Sequence, residues 1–169
     1  VAACLDNEAT ITTDVGQHQM WVAQAYPLRR PRQWLTSGGL GTMGFGVPAA
    51  MGVAIGMPER PVVCVSGDGS IMMNIQELAT LKRYRSPVKI VLLDNQALGM
   101  VRQWQELFFA ENYSEVDLSD NPDFVAVAKG LGCAAQAISS IDELRAALRK
   151  ATDRQGPTLI EIDQNQWMQ

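Results

Sequence analysis

A single histidine, His18, and three cysteines without a Cys-x-x-Cys spacing are all that this sequence offers to metals preferring nitrogen or sulfur. Zinc sites need three or four such ligands grouped, and a Ser-His-Asp hydrolase needs a Gly-x-Ser-x-Gly elbow, which is missing. The odd count of Cys4, Cys64 and Cys133, two of them within apolar segments, predicts reduced thiols packed as small hydrophobes in a cytoplasmic, reducing compartment. No stretch reaches the ~20 apolar residues that span a bilayer. No basic-then-apolar leader opens the sequence, so neither membrane association nor export is expected. Positive charge is short as well: 14 Lys and Arg face 18 Asp and Glu, leaving a net charge of -4. That balance argues against electrostatic capture of nucleic acid. The one basic cluster, Arg29-Arg30-Pro31-Arg32, reads as a solvated loop or a contact to another subunit.

What remains is an ordinary globular composition, 47% hydrophobic and 19% charged. At 169 residues the chain suffices for one domain burying roughly 70% of its unfolded surface, and is too short for two. A single domain over 1–169 is therefore expected. Its abrupt limits at Val1 and Gln169 suggest a part of something longer.

Apolar runs alternate with helical patterns along the whole length. Thr10 to Asp14 reads as a first strand, and Gln17 to about Tyr26 as a helix ended by Pro27. A Pro-, Arg- and Trp-rich stretch, in which Pro31 to Thr36 makes no convincing strand, leads into ten residues from Ser37 to Gly46, five of them glycine. Val47 to Gly56 is a small-residue helix fit for close packing. Val62 to Ser66 and Val88 to Asp94 read as buried parallel strands joined by one crossover helix, Ile71 to Arg85. Leu98 to Ala110 is a further helix, and Asn121-Pro122-Asp123 opens another through Leu131 with the proline in its first turn. Cys133 to Ile138 is a strand, Ser140 and Glu143 form a capping box for a helix to about Thr152, and Pro157 to Ile162 is the last strand. This alternation predicts an α/β fold, a doubly wound, mainly parallel sheet with helices on both faces. Its ligands should bind beyond the strand carboxyl ends.

Gly67-Asp68-Gly69 closes the first buried strand, and Asn95 follows the second, 27 positions after Asp68. On adjacent parallel strands a carboxylate and an amide oxygen then face the same space, with the amides of Gly69 and Ser70 opening a helix beside them. A hard cation such as Mg²⁺ takes about six oxygens, of which proteins supply few. Asp68, Asn95 and a backbone carbonyl just past it, that of Ala97, would give three; a diphosphate and water would give the rest. Asp68 alone would read as a helix cap, and Asn95 shifts the balance.

Gly39-x-Gly41-x-x-Gly44 matches the dinucleotide fingerprint by letter only. No convincing strand precedes it, and Glu59, the acid at the right offset, lies in a Pro-flanked turn. These glycines instead let the backbone approach a flat ring, with Met43 either plain core or a soft wedge against that ring. Gly16-Gln17-His18 starts a helix after a strand, where amides and an imidazole can donate to a phosphate; a lone histidine also reads as structural. Gly99 to Trp104 starts the helix beyond the metal pair, and Met100, Val101 and Trp104 are either core or a substrate wall. Glu77 and Glu111 read as a helix-face and a loop residue.

Gly67-Asp68-Gly69 followed by Asn95 resembles the signature of thiamine-diphosphate enzymes. The stretches Gly16 to Trp21, Thr36 to Gly46 and Gly99 to Trp104 resemble acetohydroxyacid synthase, also called acetolactate synthase, from about residue 9 to 131; the last third is similar only in layout. The resemblance implies a thiamine-diphosphate-binding fold in which Asp68, Asn95 and the Ala97 carbonyl hold Mg²⁺. Gly16, Gln17, His18, Gly67, Gly69, Ser70, Gly99 and Met100 would surround the diphosphate. It implies also that the Gly41 carbonyl accepts the aminopyrimidine 4′-amino group, that Met43 supports the folded cofactor, and that Trp104, with Val101, lines the pocket for the second 2-ketoacid. At Ala97 relatives often carry a larger polar side chain, a change that a backbone ligand tolerates.

The implied activity is decarboxylation of pyruvate and transfer of the two-carbon unit to pyruvate or 2-ketobutyrate, in branched-chain amino-acid synthesis. By the same resemblance the chain holds no catalytic residue of its own. The activating glutamate comes from the N-terminal domain of a partner subunit, a middle domain holds FAD, and a homo-oligomer and a regulatory subunit complete the assembly. The isolated chain should then have little activity. Two alternatives stay open: a domain of another thiamine-diphosphate decarboxylase, oxidase or carboligase, and a non-catalytic binding module.

Overall fold

The computed structural model describes residues 1–5 and 8–164. Among them, β1 (Thr10–Thr13), β2 (Trp34–Thr36), β3 (Val62–Gly67), β4 (Lys89–Asp94), β5 (Ala134–Ile138) and β6 (Thr158–Asp163) form one parallel sheet. The strand order is β2-β1-β3-β4-β6-β5. The helices are α1 (Gln17–Ala25), α2 (Gly46–Gly56), α3 (Asp68–Ile71), α4 (Glu77–Arg83), α5 (Gly99–Phe108), α6 (Phe124–Gly130) and α7 (Ile141–Thr152). A 3₁₀ turn at Ala2–Cys4 precedes β1.

The middles of β3, β4 and β6 are apolar runs because both faces of the sheet are covered. Side chains alternate across the sheet: Cys64, Ile90, Leu92 and Leu159 pack with α2, α4 and α6 on one face. Val63, Val65, Val91 and Ile160 pack with α7, and with Val22 and Tyr26 near α1, on the other. The doubly wound architecture is as expected, and no described helix is long and apolar enough to cross a membrane. Cys4, Cys64 and Cys133 are free thiols, the last two buried. In the basic cluster, Arg30 pairs with Glu8 at 2.7 Å on the surface.

Three local expectations need correction. Trp34–Thr36 is a strand after all, a short one on the sheet edge that pairs only with β1. Polar side chains secure it: Trp34 Nε1 donates to Thr13 Oγ1 at 3.1 Å, and the buried Gln33 donates to the Ala9 carbonyl at 3.2 Å. The crossover is not one helix but α3 and α4 separated by a turn. At that break Asn74 Nδ2 donates to the Gly44 carbonyl at 2.7 Å, a side-chain bond that competes with helix continuation and holds the glycine-rich loop. Finally, α6 is capped by Asp123, whose Oδ1 accepts from Ala126 N at 2.8 Å, so Pro122 lies ahead of the cap rather than in the first turn. The cap at Ser140 is present: its Oγ accepts from Glu143 N, while Glu143 Oε2 reaches past it to Ser139 N at 2.7 Å.

Helices α4, α6 and α7 end at the amino edge of the sheet with Lys82, Arg83, Lys129, Arg149 and Lys150 in their last turns. These cations complement the helix dipoles and mark that edge as structural. Lys89, buried at the same edge, donates to the carbonyls of Arg154 and Gly156 and ties the α7–β6 connection to β4.

Candidate functional site

From β1 the chain crosses to β2 on one side, then returns to place β3 on the other. Reversal of the winding leaves a crevice beyond the carboxyl ends of β1 and β3, where ligands of doubly wound sheets sit. A cavity of about 160 Å³ opens there. Gly16, Gln17 and His18 reach it from the β1–α1 turn, and Gly41 and Met43 from the glycine-rich loop. The β3–α3 junction contributes Gly67, Asp68, Gly69 and Ser70; the segment after β4 contributes Asn95, Ala97, Gly99, Met100 and Val101. Of the residues singled out in the sequence only Trp104 stands outside. It lies a turn beyond Val101 on α5, 61% exposed, edge-on to Phe108.

Asp68 and Asn95 come together because β3 and β4 are parallel neighbours, Gly67 paired with Leu93. Asn95 Oδ1 accepts from Ala97 N at 3.2 Å, a turn that brings Ala97 into the same wall; a second lone pair on that oxygen is unused by this bond. Burial, reinforced by the neighbouring Asp94 carboxylate, pushes Asp68 up to about 7. A cation would remove that penalty. The described residues contain no cluster of three His, Cys, Asp or Glu that could hold a metal ion, so any metal here binds one carboxylate plus neutral oxygens, a set suited to a hard ion.

His18 is buried, one ring nitrogen donates to the Asp14 backbone, and Nε2 has no partner among the described residues. Burial holds the imidazole down at about 4. With one nitrogen donating and the ring neutral, Nε2 is left as an acceptor at the cavity wall and would donate to a phosphate only when protonated. The glycines have steric reasons. A Cβ at Gly67 would lie 3.0 Å from the imidazole, and one at Gly99 would strike Gln17 Oε1 and Asn95 Nδ2. Gly41 adopts φ +64, the left-handed region that glycine enters freely.

Four residues were missed in the sequence. Asp14, fully buried, accepts from Gly46 N at 2.8 Å and from Ser66 Oγ at 2.6 Å, bracing the end of the glycine-rich loop against β3. Desolvation raises its pKa, and those donors oppose the rise. Asp94 and Glu161 crowd the carboxyl ends of β4 and β6, and burial together with Asp94 pushes Glu161 up to about 7. Asn121 donates through Nδ2 to Asp68 Oδ2 at 3.1 Å. Asp14 follows a strand and stands two residues before Gly16, a legible signal; the others depend on register and long-range packing.

A parallel α/β domain with its pocket at the winding reversal, lined by glycines, one buried acid and an amide, defines a class of anionic-cofactor domains. The chain belongs to the family described as "Thiamine pyrophosphate enzyme, C-terminal TPP binding domain", which matches residues 14–162. It is 56% identical over 155 residues to "Acetolactate synthase isozyme 2 large subunit" of Escherichia coli (strain K12), covering 92% of this chain and 28% of that protein. With "Acetolactate synthase isozyme 1 large subunit" of the same organism it is 53% identical over 162 residues, covering 96% of this chain and 29% of the relative. With "Acetolactate synthase 2, chloroplastic" of Nicotiana tabacum identity is 49% over 164 residues, covering 93% and 25%. The chain thus spans under a third of the length of these relatives. Family membership also disposes of the dinucleotide reading. The absence of a strand before Gly39 was a wrong reason against it, since β2 is there; the exposed turn position of Glu59 was a sound one.

Proposed function

We propose that this chain is the diphosphate-binding part of an acetolactate synthase catalytic subunit and holds thiamine diphosphate through Mg²⁺ in the cavity between β1 and β3. One observation carries the reading: a buried carboxylate raised by its surroundings, an amide oxygen and an orphan imidazole nitrogen share one glycine-lined cavity. Asp68, Asn95 and the Ala97 carbonyl would hold the ion; Gln17, His18 and the amides of Gly69, Ser70, Gly99 and Met100 would face the diphosphate. Gly41 and Met43, on the glycine-rich loop, would meet the rings. When bound, the cofactor supplies the electron sink for decarboxylating a 2-ketoacid. The chain's own residues position it, exclude water and neutralise charge.

Pyruvate and 2-ketobutyrate are the substrates in this reading. Val101, at the cavity rim, contacts them. Trp104 does so once a second domain closes over α5, whose residues are all at least partly exposed. The activating glutamate, FAD and contacts to a regulatory subunit belong to regions of the assembly outside these residues, and a homo-oligomer supplies the facing domain. The exposed apolar side chains of Trp104, Leu107, Phe108 and Phe109 support such docking.

Calorimetric titration with thiamine diphosphate is the test. Heat should appear only with Mg²⁺ present, and Asp68→Ala should weaken binding at least roughly 10-fold. The isolated chain should form no acetolactate, while the assembled enzyme makes 2-acetolactate and 2-aceto-2-hydroxybutyrate. Equal binding by wild type and Asp68→Ala, or robust acetolactate formation by the isolated chain, would contradict the respective halves of the reading.

A further inference from the structure

The Asp68 carboxylate is also held from outside the cavity. Asn121, which does not line it, donates Nδ2–H to Asp68 Oδ2 at 3.1 Å. The loop that carries Asn121 is folded back onto the turn after β4 by an antiparallel bridge between Ala97 and Asp117. Leu98 N donates to the Val116 carbonyl and Leu118 N to the Gln96 carbonyl, both at 2.9 Å. Within the loop, Asn121 N donates to the Leu118 carbonyl at 3.0 Å, and Asp117 Oδ1 accepts from Ser119 N at 2.9 Å. Leu118 also packs over Gly69, where a Cβ would lie 3.1 Å from its Cδ1 and 2.7 Å from Leu98 Cδ2. One segment, 116–121, therefore grips both the backbone that bears Ala97 and the side chain of Asp68.

The ordinary reading of Asn121 is a residue at the start of α6. That role is filled by Asp123, and the backbone N–H of Asn121 is already spent in its own turn. Its side-chain amide is left to serve the carboxylate. Burial and the repulsion of a second acid, Asp94, disfavour the charged form of Asp68, whose carboxylate also accepts from the backbone N–H groups of Gly69 and Asp68. An amide donor on Oδ2 offsets that repulsion and fixes the rotation of the carboxylate, the task that partners of metal ligands perform.

We propose that Asn121 is a positioning residue for the cation, acting through Asp68, and that the 116–121 segment locks Asp68 and the Ala97 carbonyl into one preorganised ligand set. The inference rests on Asp68 being a cation ligand. Before the ion arrives, Asn121 holds the carboxylate; after it arrives, the same bond resists reorientation and slows loss of the ion.

The experiment measures Mn²⁺ uptake by the intact protein, from the electron paramagnetic resonance of free ion, with thiamine diphosphate present. Asn121→Leu is nearly isosteric but carries no donor and adds no charge, and Asn121→Ala removes the group. Both should lose roughly 10- to 100-fold in Mn²⁺ affinity, while their melting curves without cation stay close to that of the wild type. Leu118→Ala loosens the same segment and keeps the donor, so it should lose less than either. Asn121→Leu binding Mn²⁺ within twofold of the wild type would overturn the positioning role. A wild type that takes up no Mn²⁺ would overturn the cation reading of Asp68 and this inference with it. Should the variants fail to fold, the wild-type Asn121 side-chain amide resonances decide: they should shift on adding Mg²⁺ with thiamine diphosphate, and unchanged resonances would overturn the proposal.

Discussion

Burial, with Asp94 beside each of them, raises the carboxyls of Asp68 and Glu161 at the carboxyl edge of the sheet, which gives the site a measurable pH signature. Glu161 titrates near 4.3 in an unfolded chain and at about 7 when folded. Its folded form therefore binds the proton more tightly, and the contribution to stability, full below about pH 4, is lost as pH rises through 7. Glu161→Gln should raise the melting temperature at pH 8 and leave it unchanged at pH 4, checked by thermal denaturation at both. His18 has the opposite sign: held down at about 4 by burial, it costs stability as pH falls from about 6.5 toward 4. The two slopes oppose each other, and the raised Asp68 adds to that of Glu161, so only substitution separates the contributions. None of this was legible in the sequence. Leu92 pairs with Glu161 in register, and that pairing, unseen in a linear string, brings Glu161 toward Asp94.

Elements place these residues, and α2 shows how. It begins at Gly46 against the buried Asp14, where a Cβ would lie 2.9 Å from both Asp14 N and Oδ2. Gly46→Ala should destabilise by about 1–3 kcal/mol, the usual cost of overpacking. Gly52, two turns later in the same helix, meets nothing within 4 Å; Gly52→Ala should stabilise by roughly 0.5–1 kcal/mol. Urea denaturation of the pair separates the two kinds of glycine. The long periodic elements and buried apolar runs were readable from the residues, because burial on both faces demands such runs. What misled was local: Asn74 breaks the crossover through a contact to Gly44, 30 positions away. Likewise β2 is only three residues long and is tied to β1 by side-chain bonds as well as its ladder, so its Pro- and Arg-rich surroundings hid it. The site residues were legible because their spacing follows the strand–turn–helix repeat; Asn121 was not, because its role depends on the loop's return.

At the scale of the molecule, one edge of the sheet is committed to a ligand and the other to cations that end helices. α5 stands out at the ligand edge with apolar side chains in solvent, the kind of patch that marks a docking surface. The central claim is that Asp68, Asn95 and the Ala97 carbonyl share one divalent ion carrying a thiamine diphosphate tail. A crystal structure of the protein grown with Mn²⁺ and thiamine diphosphate measures this directly through anomalous scattering. A single peak with all three oxygens at coordination distance is the predicted result; a peak elsewhere on the molecule, or cofactor density with no ion between Asp68 and Asn95, would contradict it.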